Sequence, residues 1–131
     1  MNIYPQIKTR LAAHSAVSSK IGARAYPQYL PQKPTYPALQ YSQVSEADAV
    51  EGSAELFWVR YQFDCYATTY VGAAVLADSL NDCFKEWANP GGTPAIIQCR
   101  PAGLIDDFDP DTTENGIHRI IRDFQFLIFD R

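Results

Sequence analysis

A chain of 131 residues has room for one domain, 1–131, with a conventional hydrophobic core, because folding at this length buries roughly two-thirds of the unfolded surface. With 47% hydrophobic, 13% aromatic and 20% charged residues the composition is not that of a disordered chain. A net charge of −4, from 11 basic and 15 acidic side chains, disfavours a protein that grips nucleic acid through a broad basic face.

Residues 3–14 carry Ile3, Ile7 and Leu11 at steps of four, one apolar stripe on a first helix. Pro5 suits its first turn, where no intrahelical N–H bond is lost. Ser15 to Gly22 reads as a break, and Ala23 to Tyr26 as a short extended piece. Pro27, Pro31, Pro34 and Pro37 then fix an extended tether across the domain surface. Pro37 to Ser45 has the β-formers of a strand, and the acid-rich stretch from Glu46 to Glu55 reads as a polar loop.

Leu56 to Tyr66 is the clearest strand. Phe57, Val59, Tyr61, Phe63 and Cys65 make one apolar face, while Trp58, Arg60, Gln62, Asp64 and Tyr66 share the other. Thr68 or Thr69 can cap a long core helix over 70–88, which the Asn89-Pro90-Gly91-Gly92 run closes. Two more strands, about 94–105 and 117–129, flank a turn-rich segment from Asp106 to Gly116.

This order predicts an α+β fold: an antiparallel sheet of about four strands with two helices packed on one face. The second sheet face carries Trp58, Tyr66 and Phe129, and no remaining element covers it. Apolar surface of that kind marks self-assembly or partner binding.

Catalytic chemistry is sparse. The chain has no Gly-rich phosphate loop, GxSxG elbow, HExxH or dinucleotide fingerprint. The two histidines leave only Cys65–His118 or Cys99–His118 as a nucleophile–base pair, so no catalytic residue, cofactor or metal is assigned. The odd set Cys65, Cys83 and Cys99, without CxxC spacing, suits buried reduced thiols. Acids at 107, 109 and 111 resemble the start of a calcium loop, but Thr112 stands where the turn needs Gly and His118 where it needs a closing Glu. No signal-peptide pattern or membrane-spanning run is visible, which leads us to expect a soluble protein made in the cytoplasm.

Three features in this order resemble the small tail-terminator (tail-completion) proteins of long-tailed bacteriophages. They are a short helix leading into Ile21-Gly22-Ala23-Arg24-Ala25-Tyr26-Pro27, a Pro-rich tether entering a strand at Pro37-Ala38-Leu39, and a strand ending Phe63-Asp64-Cys65-Tyr66 followed at once by a helix. The turn from Asp109-Pro110 to Gly116, with Ile117-His118-Arg119 and Asp123-Phe124-Gln125-Phe126 after it, also fits. Ala25 departs from the larger aliphatic residue more common there, and the linker after Ala88 is rich in proline and glycine.

The resemblance implies a structural virion protein of the tail or neck that assembles as a homo-hexameric ring on the tail tube. Such a ring stops tube polymerisation and presents a surface for head joining. The partners implied are the tail tube protein and a head–tail connector or stopper. DNA passes without being bound, and no membrane is involved. One subunit interface is expected at Trp58, Arg60 and Tyr66, the other on a helix edge. Asp106, Asp107, Asp109, Asp111 and Glu114 are expected to line the lumen or meet a partner. The alternatives are another neck protein (stopper or adaptor) and, from a different class, a small cytoplasmic enzyme using Cys or His.

Overall fold

In a computed structural model, residues 2–28, 30–32, 34–49, 55–109 and 116–129 are described, with the backbone path alone for 105–109. The elements run α1 (Tyr4–Ala13), α2 (Ser15–Ile21), β1 (Ala25–Pro27), β2 (Ala38–Asp48), β3 (Leu56–Ala67), α3 (Tyr70–Phe84), β4 (Ala95–Asp109) and β5 (Ile117–Phe129). The strands form one sheet in the order β1-β2-β3-β5-β4. The α+β class holds, but among the described residues the sheet is mixed and five-stranded, and there are three helices rather than two.

The extra helix is α2. Ser15–Ile21 continues from α1 after a kink at His14, whose extended backbone (φ −90°, ψ 109°) separates the two. Val17 and Ile21 recur at a step of four and are both buried, a spacing too short to stand out among the serines around it. Ile3, expected inside the first helix, is its N-cap residue and is buried beneath it. The extra strand is β1, whose three residues pair in parallel with Leu39, Gln40 and Tyr41. Arg24 fastens the tether behind it, donating from Nε to the Pro37 carbonyl at 2.9 Å and from Nη2 to the Lys20 carbonyl at 3.0 Å.

The core lies between the helices and the sheet face of Val59, Tyr61, Phe63 and Cys65. Phe63, Phe84 and Phe124 meet with ring centroids 5.1–5.6 Å apart. Thr69 caps α3, its Oγ1 accepting the Gly72 N–H at 3.0 Å. A Cβ on Gly72 would itself lie 3.0 Å from that oxygen, so glycine leaves the cap room. The helix stops at Phe84 rather than near residue 88, because Lys85 turns extended (ψ 122°) and Glu86 takes a positive φ of 60°. That turn folds Trp87 back onto Phe84 at 5.7 Å, so its place in the apolar pattern is kept outside the helix.

Two loops expected from composition are partly strand. β2 continues through Asp48 and β4 through Asp109, each beyond a bulge. Among the described residues, no helix is long and apolar enough to cross a membrane.

Candidate functional site

The face of the sheet opposite the helices is built by the period of two along each strand. On β3 it takes Trp58, Arg60, Gln62, Asp64 and Tyr66, and the register brings Leu127, Gln125, Asp123, Ile121 and Arg119 of β5 alongside them. β4 adds Gln98, Arg100 and Gly103. Among the described residues no helix lies on this side, yet it holds two buried carboxylates, Asp64 at 5% and Asp123 at 9% exposure.

Each carboxylate is held by its own neighbours. Arg60 donates to Asp123 Oδ2 from Nε at 2.9 Å and from Nη2 at 2.6 Å. Asp123 Oδ1 is buried and has no hydrogen-bond partner among the described residues. Asp64 accepts from Gln62 Nε2 at 2.9 Å on one oxygen and from the Tyr66 hydroxyl at 3.4 Å on the other, with Arg119 Nη1 at 3.8 Å. Burial raises the Tyr66 phenol above its ordinary range, and hydrogen bonding by Arg119 partly opposes this. Arg100 stacks on Trp58, its guanidinium 4.0 Å from the ring centroid.

Trp58, Arg60 and Tyr66 therefore do share one helix-free face, as the alternation along β3 requires. The face holds more charge than the polar residues of β3 alone supply. Its aromatics are inlaid among arginines and carboxylates, a lattice the sequence hid because Asp123, Arg119 and Arg100 come from other strands. The missed partners carry one signal only, the Asp123–Gln125 alternation on the final strand.

The acidic residues divide. Asp106, Asp107 and Asp109 lie on the outgoing end of β4, where their backbones pair with Ile120, Arg119 and Ile117. Asp111 and Glu114 fall outside the described residues, as do residues 110–115 of the segment compared with a calcium loop. Among the described residues, no group of three or more His, Cys, Asp or Glu side chains could hold a metal ion.

The cysteine chemistry is that of a core. All three thiols are free and buried. Cys65 stands one diagonal from His118 on the core face, opposite Ile120. Burial pushes its thiol, and that of Cys99, well up, and lifts Cys83 to about 11. A nucleophilic cysteine needs the opposite shift.

A family model described as tail completion protein gp17 matches residues 5–128. Among solved structures, a chain of the virion of a native gene transfer agent particle superposes with a TM-score of 0.65 at 13% identity, over 92% of this chain and 90% of that one. A second solved chain superposes with a TM-score of 0.55 at 12% identity, over 95% and 92%. No curated protein matches the sequence. At these identities the structural likeness shows a shared fold.

Proposed function

Because this chain belongs to the tail completion protein gp17 family, we propose that it closes the tail tube as a ring, ends tube polymerisation and forms the surface to which the head is joined. Membership itself makes it a structural protein of the phage tail and neck rather than an enzyme. The neighbour's place in a virion particle supports the same setting.

The observation that carries the finer reading is the sheet with one covered face. Its helix-free side presents Trp58, Arg60 and Tyr66 in a fixed lattice, with side chains oriented before any partner arrives. Preorganised surface loses little side-chain freedom on assembly. That face is a contact surface of the assembled ring, which is a homo-hexamer meeting the tail tube on one side and a connector or stopper on the other. Asp106, Asp107, Asp109, Asp111 and Glu114 form the lumen lining or a partner contact, since acids facing phosphates let DNA pass without holding it.

The test is solution mass by light scattering, repeated with purified tail tubes under negative-stain microscopy. A cap on tube ends is the expected result, whether the free protein is a monomer or a ring. Binding to the portal-side adaptor in preference to tubes would place the protein at another neck position, as a stopper. A monomer indifferent to both would end the reading.

A further inference from the structure

The outer side of α3 goes against two preferences of helices at once. Val71, Val75, Asp78 and Asp82 recur at steps of four, three and four, which sets them in one straight stripe along the helix. All four are exposed, Val71 at 69% and Val75 at 42%. Valine loses side-chain freedom in a helix, and at an exposed position no core contact offsets that loss. Asp82 stands in the last turn, where the helix dipole opposes a negative charge, and that turn has no basic residue. Neither Asp78 nor Asp82 is in an ion pair among the described residues. Side chains that gain the helix nothing, yet stand in line, mark a surface held for a partner.

A groove of matching chemistry lies on α1. Pro5, Thr9, Arg10 and Ala13 form one wall and Trp87 the other, around about 400 Å³. The neutral polar side chains beside it are bonded within the chain. Thr9 Oγ1 donates to the Pro5 carbonyl at 2.9 Å, Gln6 Nε2 to the Pro94 carbonyl at 2.9 Å, and Asn89 Nδ2 to Gln6 Oε1 at 2.7 Å. Arg10 differs. Its Nε donates to the Cys83 carbonyl at 2.9 Å, and its guanidinium lies 5.9 Å from the Trp87 ring centroid. Among the described residues its two Nη groups have no acceptor, and no carboxylate pairs with it. The groove thus offers one cation without a counter-charge, set in apolar walls.

We propose that the α3 stripe of one copy of this chain docks in the α1 groove of the next, with Asp78 and Asp82 on the Arg10 guanidinium and Val71 and Val75 on the apolar walls. The proposal deepens the ring reading and rests on it, because a ring makes the occupant of the groove a second copy. The two surfaces complement each other in charge and polarity. Two carboxylates one helical turn apart meet a cation with both Nη groups available, and arginine binds carboxylates through such parallel N–H···O bonds. The exposed valines meet Trp87, Pro5 and Ala13. A helix face laid in an apolar groove, with anchors at helical spacing, is a recurring mode of recognition. Stripe and groove are different patches, so the contact runs head to tail, the kind that closes into a ring.

The contact assigns the interface expected on a helix edge to α3. Its charges work as a set: with both sides present they are paired, whereas removing one side leaves the other desolvated and alone. Its apolar part is small, since the stripe brings only two valines. So small a contact holds single pairs of subunits weakly, and ring closure multiplies it.

Cross-linking between two full-length single-site variants tests the contact. Thr9→Cys, enlarged by a tag, is mixed with untagged Val75→Cys and treated with a short bismaleimide, with and without tail tubes. One new thiol on each chain means that only a contact between copies can join them, because the native thiols are buried and stay unreacted. A tagged–untagged product from the mixture, and no dimer from either variant alone, is the expected result. Adding Asp78→Lys/Asp82→Lys, two exposed changes, to the Val75→Cys chain should cut the yield by about tenfold. An unchanged yield would overturn the pairing with Arg10. A dimer from either variant alone would show two-fold α1–α1 or α3–α3 packing and overturn the proposal. The double variant Thr9→Cys/Val75→Cys should give a ladder on tubes, and a product that stops at the dimer would show a reciprocal pair and overturn the head-to-tail contact. Caps on tube ends without any cross-link would overturn the contact and leave tube capping intact. A cross-link in a protein that ignores tubes would uphold the contact while ending the capping reading. If neither cross-link nor caps form, both fall.

Discussion

Arg100 reaches across β5 to place its guanidinium 4.0 Å from the centroid of the Trp58 ring, while its Nε donates to Gln125 Oε1 at 3.0 Å. A residue on the edge strand thereby covers an aromatic two strands away on a face without helices. The stack is electrostatic attraction between a cation and the ring's negative face, worth about 0.5–1 kcal/mol where water still reaches it. Arg100→Ala is expected to cost about that much in chemical denaturation. It should also make Trp58 more accessible to acrylamide quenching, read in a Trp87→Phe background so that one tryptophan reports. Unchanged quenching would mean that the ring is already open to solvent.

The Arg60–Asp123 pair sits deeper. Both donors converge on one oxygen of a side chain 12% exposed, while the arginine is 38% exposed. Removing the arginine alone strands a buried carboxylate, so Arg60→Ala should cost about 2–3 kcal/mol, in the range for hydrogen bonds to charged groups. The double variant Arg60→Ala/Asp123→Ala should cost less than the two single changes added together. Urea titrations of the three variants give the coupling, expected at about 1–2 kcal/mol. Strict additivity would show that the two side chains act independently.

How much of this was legible in the sequence follows from the range of each signal. Strong local periodicity gave β3 and the core helix, because Phe57 to Cys65 alternate without interruption and Ala73, Leu76, Ala77, Leu80 and Phe84 share a stripe. Short or non-local features were lost. β1 has three residues and exists only through pairing with β2, and α2 has two buried positions in seven. The end of α3 was misplaced because the apolar pattern runs through Trp87, which packs from a turn as well as from a helix. Trp58, Arg60 and Tyr66 could be put on one face by counting alternate residues. The charged partners of Arg60 and Trp58 come from β5 and β4, and no single-strand pattern contains them.

Alkaline pH should weaken the fold in a defined window. Burial lifts Cys83 from an ordinary 9.0 to about 11, with Arg10 partly opposing, and raises Cys65 and Cys99 as well. The phenols of Tyr41, Tyr61 and Tyr66 are raised by burial in the same sense. Between the unfolded and folded values the unfolded chain has lost protons that the native state keeps, so stability falls as pH rises. The melting temperature should hold up to about pH 9 and then decline through about 11. Cys83→Ala should make that decline shallower, after allowance for the small cavity it leaves. A melting temperature flat from pH 8 to 11 would contradict the burial of these groups.

The acidic segment offers the most direct probe of the proposed lumen. Replacing Asp106, Asp107, Asp109, Asp111 and Glu114 by their amides removes five negative charges per subunit from a chain whose net charge is −4. Among these residues Asp106, Asp107 and Asp109 end a strand, and extended backbone tolerates Asn at little cost, so monomer stability should change by less than about 0.5 kcal/mol. If the acids face passing DNA, capping of tubes persists while DNA release from assembled particles slows. Replacing the same residues by lysine should make rings retain DNA in a salt-dependent way, because each phosphate neutralised releases bound counterions. If they instead meet the tube or the neck protein, the amide variant caps fewer tube ends and its DNA release from the remaining particles is normal. Normal capping together with normal release would remove the segment from either role.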